Sequence, residues 1–277
     1  MRILLILLLA LTVSCNKKDL KIGDQNIAVH RDIAYGKEAI HKFDIYIPKQ
    51  TSDASRTFIF VHGGGWRSGE KESLTGFMLQ VMEHFPNDVF VTINYTLADE
   101  THFALPQQTD EINQLIQFLK QNSEKYAVNP RFVLTGYSAG GHLAALYAFR
   151  YKNPDVEAVV NIAGPVDLTD INFRYYPDID FVENRMVDAA AISSETMTKA
   201  VFASPVSWIK DSQVRSISFF GEFDDVIPMS QKTILDSLIS EGVISGETHA
   251  YSGDHHNWRE EPHQSDIIQK IRNFLKN

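Results

Sequence analysis

The chain has 277 residues, 44% of them hydrophobic and 22% charged, a globular composition with enough apolar material for one large α/β domain. Its formal charge of −9, with no long run of Lys or Arg, excludes a surface built to follow a nucleic-acid backbone and otherwise bears on solubility. A single cysteine excludes an internal disulfide.

Met1-Arg2 is followed by Ile3 to Val13, an almost unbroken apolar run, and then by Ser14-Cys15. A charged start and a short apolar core define a signal peptide, too short for a membrane-spanning helix of ~20 residues. With its lone thiol at the cleavage point, the segment resembles a bacterial lipoprotein signal, in which the cysteine is acylated and becomes the mature N-terminus. Thr12 departs from that pattern, which prefers a leucine-like residue there. A plain secretory signal with an incidental cysteine is the alternative. The resemblance implies a signal peptide over 1–14, lipidation at Cys15, a polar tether over 15–26, and an exported protein held on a membrane in the periplasm or at the cell surface.

Beyond the tether, Ile27 to Tyr35 and Ala39 to Ile47 read as two strands around Gly36-Lys37, an antiparallel hairpin at a sheet edge. Phe43, Ile45 and Ile47 alternate with Lys42, Asp44 and Tyr46, the period of a strand with one wet face. Phe58 to Val61 is a continuous apolar run and Val89 to Ile93 a second such strand, as expected of strands covered on both faces, while Phe132 to Leu134 is an apolar run and Val156 to Ile162 and Ile217 to Phe220 read as further strands of the sheet. Helical patterns alternate with them: a stretch ending near Phe85-Pro86, Gln107 to Asn122 with Ile112, Leu115, Ile116 and Leu119 on one face, and a small-residue run after Ser138. The rhythm breaks from Gly164 to about Ser212, where Ile171 to Pro177 is aromatic and irregular and Asp188 to Ala203 is expected to be helical. An insertion of this length is expected to form an ordered lid or binding wall. A helix with Ile234, Leu235, Leu238 and Ile239 on one face, a weaker strand over Glu247 to Tyr251, and a C-terminal helix complete the chain. The alternation predicts one α/β domain over 27–277: a mostly parallel sheet, helices on both faces and a cap-like insertion at about 165–212.

Chemistry concentrates at four places, each directly after a predicted strand. Gly136-Tyr137-Ser138-Ala139-Gly140 stands between strand and helix, the context of a nucleophile elbow. His62-Gly63-Gly64-Gly65-Trp66 is a glycine-rich turn, but it lacks the Gly-Lys-Ser/Thr ending of a phosphate cradle. Gly221 to Pro228 carries Asp224 and Asp225, and Tyr251 to Trp258 carries His255 and His256. Two adjacent histidines with Asp254 do not make a metal site, because neighbours in a chain rarely point at one ion and no H-x-x-x-H accompanies them. No metal or cofactor is expected.

Together with Asp44 to Pro48, Asn94 to Leu97 and Ser204-Pro205-Val206, these motifs resemble an α/β-hydrolase from about Ile33 to the C-terminus. The resemblance is to the esterase branch with the His-Gly-Gly-Gly-Trp loop. That branch includes hormone-sensitive-lipase-like carboxylesterases, kynurenine-formamidase-like enzymes and bacterial acetyl-xylan or feruloyl esterases. It implies Ser138 as nucleophile, Asp224 as the acid with Asp225 as fallback, and His256 as the base, with His255 replacing a usual glycine. It also implies an oxyanion hole from the amides of Gly64, Gly65 and Ala139, with His62 bracing the turn. Trp66 and Tyr137 are the candidate substrate contacts. The implied activity is serine carboxylic-ester hydrolysis on short acyl esters such as acetylated carbohydrates. Arylformamidase-like or small-molecule esterase activity is the alternative within this chemistry, and a non-catalytic surface binder on the same scaffold is the alternative outside it.

Overall fold

The computed structural model describes residues 17–22, 25–192 and 197–276. The expected signal peptide and Cys15 lie outside the described residues. In chain order the elements are β1 (Lys17–Ile22), β2 (Gln25–Ala34), β3 (Lys42–Pro48), β4 (Thr57–Val61), α1 (Thr75–His84), β5 (Val89–Ile93), α2 (Gln107–Gln121), α3 (Ser123–Tyr126) and β6 (Phe132–Tyr137). They continue with α4 (Ala139–Tyr151), β7 (Val156–Ile162), α5 (Ile179–Asn184), α6 (Lys199–Ala203), β8 (Arg215–Gly221), α7 (Ser230–Ser240), β9 (Gly246–Tyr251) and α8 (His263–Lys276).

The strands form one nine-stranded sheet in the order β1-β2-β3-β5-β4-β6-β7-β8-β9. The first three strands are antiparallel, and everything from β5 to β9 runs parallel. Strand alternation separates two cores. Ile59 and Val61 of β4 face one with α2 and α4, and Phe58 and Phe60 face the other with α1 and α8. The central strands β4, β5 and β6 are buried at every position, which is why they read as unbroken apolar runs. The parallel strands all present their C-terminal ends at one edge, so the loops after β4, β6, β8 and β9 converge there.

Two expectations are corrected. Residues 17–22, expected within the tether, are instead an edge strand paired antiparallel with β2 from Lys17 opposite His30 to Ile22 opposite Gln25. Leu20 and Ile22 pack against the second core, and that alternating burial together with the free hydrogen-bonding edge of β2 outweighs the polar Lys17-Lys18-Asp19 composition. The segment from Asp188 to Ala203 is not one helix: the described residues form a 3-10 turn at Ala189–Ala191 and the short α6. The described part of the insertion nevertheless packs against the domain. Phe173, Phe181, Met186 and Phe202 are buried in the first core, and the main chain at Met186 and Asp188 hydrogen-bonds to Leu105.

Candidate active site

Ser138, between β6 and α4, stands at φ 54° and ψ −125°, a conformation costing about 1–3 kcal/mol and sustained only where the surroundings enforce it. The turn is closed by Ser138 N–H donating to Ile162 O at 2.8 Å and His142 N–H donating to Ser138 O at 3.0 Å. Two glycines make it sterically possible. A Cβ on Gly136 would collide with the backbone of Gly140, and one on Gly140 would collide with the carbonyl of Val61 in the neighbouring strand. The result lifts the serine hydroxyl over the N-terminus of α4, where backbone N–H groups are unpaired.

The histidine facing that hydroxyl is His255, not the expected His256. His255 Nε2 lies 2.9 Å from Ser138 Oγ, and its Nδ1 lies 2.7 Å from Asp224 Oδ2. The reason lies in the turn after β9. Asp254 Oδ1 accepts the N–H groups of both His256 and Asn257, starting a 3-10 turn at Asn257–Arg259 that swings His256 to the surface. His255 stays inside, 5% exposed. His256 Nδ1 sits 2.7 Å from the hydroxyl of Tyr137, which is also 3.2 Å from His255 O, so this tyrosine ties the histidine loop to the elbow. Asp224 is the acid that the resemblance implies. Its other oxygen accepts the N–H groups of Val226 and Ile227 at 2.8 Å each, while Asp225 stays exposed and outside the relay. With Asp224 accepting at Nδ1–H, His255 is left with a free lone pair at Nε2 to take the Ser138 proton.

The glycine loop after β4 arches over the elbow. Gly64, at φ 116°, and Gly65, at φ 57°, hold backbone conformations that L side chains rarely adopt. The carbonyl of Gly64 accepts N–H from Arg67 and Ser68, whereas the amides of Gly64, Gly65 and Ala139 have no acceptor among the described residues. His62 braces the turn: Nδ1–H donates to Gly63 O at 2.7 Å, its ring stacks on Tyr95, and Tyr95 donates to His62 O. Burial lowers the His62 pKa to about 4, so the ring is neutral. Behind the loop, buried Lys71 lies 3.1 Å from Asp32 and from fully buried Asp44, contacts Glu72, and donates its backbone N–H to Asn94 Oδ1. Asp44, Asn94 and Tyr95 therefore brace the segment around the glycine loop.

Trp66 is corrected as a substrate contact. It is 1% exposed, donates Nε1–H to His142 Nδ1 at 3.1 Å, and packs on Tyr176 and Phe181. A large ring with one donor is better served by a core place with a partner than by open solvent. Its partner His142 donates Nε2–H to Ala203 O, and burial lowers the His142 pKa to about 4. Tyr137, the other candidate, lines the cleft over Ser138. The cleft over Ser138 has a volume of about 400 Å³, and its walls include His255, His256, Tyr176, Val226 and Arg259. Sequence reasoning singled out neither Val226 nor Arg259, and Tyr176 appeared only within an aromatic stretch. No pattern in the chain marks them, because the folding of separate loops brings them to the site. Among the described residues, no group of three or more His, Cys, Asp or Glu side chains could hold a metal ion.

A mostly parallel sheet with helices on both faces, a strained serine at the strand-to-helix elbow, and an Asp-His-Ser relay define an α/β-hydrolase. The chain belongs to the BD-FAE family, whose model matches residues 43–239. Arylacetamide deacetylase of Oryctolagus cuniculus is 41% identical over 119 residues, covering 41% of this chain and 29% of that protein. Esterase LipQ of Mycobacterium tuberculosis is 24% identical over 230 residues, covering 78% of this chain and 52% of that protein. The chain thus matches about half or less of the length of these curated relatives. A solved truncated form of a carbohydrate esterase from gut microbiota has a TM-score of 0.69 at 19% identity, over 90% of this chain and 96% of that chain, which is a likeness of fold.

Proposed function

We propose that the protein hydrolyses carboxylic esters of short acyl groups, with acetylated carbohydrates as its first substrate class. Ser138 Oγ gives its proton to His255 Nε2 and attacks the ester carbonyl, while Asp224 stabilises the imidazolium that results. The oxyanion accepts the amide hydrogens of Gly64, Gly65 and Ala139, each such donor being worth about 3 kcal/mol at the transition state. Collapse expels the alcohol, which takes the proton from His255. Water then enters with His255 as base, the acid leaves, and Ser138 recovers its proton. The observation that carries this reading is the unbroken relay, 2.7 Å from Asp224 to His255 and 2.9 Å from His255 to Ser138, opening beneath unpartnered amides. A cleft of about 400 Å³, walled by the cap residue Tyr176, favours small acyl groups. The names of the relatives, an esterase and a deacetylase, favour the same chemistry. Export with a lipid at Cys15 belongs to this proposal, motivated by the N-terminal pattern, and the mass of the mature N-terminal peptide tests it.

The decisive experiment is hydrolysis of 4-nitrophenyl esters from acetyl to octanoyl by wild type and Ser138→Ala. Serine-dependent activity favouring acetate is expected, followed by deacetylation of acetylated xylan. Wild-type turnover by a clean Ser138→Ala sample would overturn the reading. Failure of wild type to react with a fluorophosphonate would favour a binding protein on this scaffold.

A further inference from the structure

The charge of the cleft runs against that of the chain. The molecule carries −9, yet none of the residues lining the cleft over Ser138 is an Asp or Glu. The lining does include one permanent cation, Arg259, and the surface imidazole of His256. Arg259 is exposed and lies over aromatic rings, its Cζ 4.8 Å from the centroid of Tyr137 and 5.2 Å from that of Trp258. Five other described arginines face carboxylates: Arg31 meets Asp44, Arg56, Arg131 and Arg215 meet Glu157, and Arg67 meets Asp178. Among the described residues no carboxylate lies within ion-pairing distance of Arg259, although Glu260 and Glu261 follow it in the chain. Cation–π contact with Tyr137 and Trp258 steadies the guanidinium, and its N–H groups have no partner among the described residues, which suits it to bidentate capture of a carboxylate.

We propose that Arg259 is a specificity-determining residue that binds a carboxylate on the alcohol part of the substrate, so that the preferred esters are those of acylated hydroxy acids. An O-acylated uronate sugar is the carbohydrate form of that class. The inference rests on the esterase reading above. Its assignment to the alcohol side follows from proton transfer. The departing alcohol takes its proton from His255, so it leaves along the histidine loop, and Arg259 is four residues further on in that loop. That leaves the acyl group the side of the cleft under the glycine loop, which Tyr176 lines.

The test compares 3-acetoxybenzoate with its uncharged isostere 3-acetoxybenzamide, using wild type, Arg259→Gln and Arg259→Lys. Dividing the wild-type ratio of kcat/KM values by the Arg259→Gln ratio removes the intrinsic difference between the leaving groups. That quotient is expected to be about five- to tenfold in favour of the carboxylate at low salt, falling towards one as ionic strength rises. Arg259→Lys is expected to retain part of it, since it keeps the charge and loses the fork. The same carboxylate-to-carboxamide ratio in wild type and Arg259→Gln overturns the proposal, provided that wild type hydrolyses 4-nitrophenyl acetate. No hydrolysis of 4-nitrophenyl acetate overturns the esterase reading beneath it, a different result.

Discussion

In the proposed mechanism, proton transfer at Ser138 depends on which of two adjacent imidazoles faces inward. His255 does so with both ring nitrogens engaged, whereas His256 is exposed on the cleft wall and hydrogen-bonds to the Tyr137 hydroxyl rather than to Ser138. His255→Ala removes the base and is expected to lower kcat by about 10⁴- to 10⁶-fold, as loss of the serine would. His256→Ala loses a surface hydrogen bond worth roughly 1 kcal/mol, so its kcat/KM is expected to stay within about tenfold of wild type. Steady-state kinetics on 4-nitrophenyl acetate separates the two, and the reverse order of effects would reject the relay. Ser138 was legible in the sequence because glycines at fixed offsets between a strand and a helix have a steric meaning. Asp224 was legible through its distance from the glycine that ends β8. The histidine was not, because one turn stands between β9 and the site. The rotation of that turn is set by Asp254 capping two backbone N–H groups, an interaction that no residue spacing reveals.

The same contrast holds for whole elements. Strands β4 to β8 were readable because burial on both faces keeps them mostly apolar and β-prone, with few polar positions to confuse the pattern. Strand β1 and the short cap helices were not, since their conformation comes from tertiary partners rather than local preference. Two predictions belong at this scale. In the cap, Tyr176 stacks on Phe173 at 5.0 Å, meets Trp66 edge-on, and places its hydroxyl near the α-carbon of Gly65. Tyr176→Ala opens that end of the cleft, and the preferred acyl length of 4-nitrophenyl esters is expected to move from acetyl towards butyryl or hexanoyl. An unchanged chain-length profile would place the acyl group elsewhere. Behind the oxyanion loop, Lys71 neutralises the fully buried Asp44, which otherwise keeps only Arg31 and the Asp32 N–H. Lys71→Met is expected to cost about 3 kcal/mol in urea unfolding, because it strands a buried charge. Adding Asp44→Asn to that variant should recover part of the loss. Strictly additive costs would show that the two residues do not act as a pair.

For the molecule as a whole, the two buried neutral histidines set how stability responds to mild acid. His62 and His142 both have their pKa values lowered from 6.5 to about 4, chiefly by burial, with the hydrogen bonds to Gly63 O and Ala203 O opposing it. Between those values the unfolded chain binds a proton at each site and the folded chain does not, so stability rises with pH. The contribution is complete above pH 6.5, is lost as pH falls towards 4, and levels off below. Each shift corresponds to roughly 3 kcal/mol at most. Asp170, Asp236 and Asp254 have lowered pKa values through their hydrogen bonds, opposed by burial where it applies, so their losses fall below pH 4 and leave the upper window to the histidines. Asp88, raised mainly by burial, acts in the opposite sense near the bottom of the window and softens the slope there. Urea midpoints at pH 7.5, 6 and 5 should therefore fall steadily. In His142→Gln, which has no proton to take up on unfolding, the absolute stability at pH 7.5 should be lower but its decline to pH 5 shallower. An equal decline in both proteins would mean that His142 is protonated in the fold, with Nδ1 unable to accept from Trp66. The link between the oxyanion loop and the cap would then have to be held by some other contact.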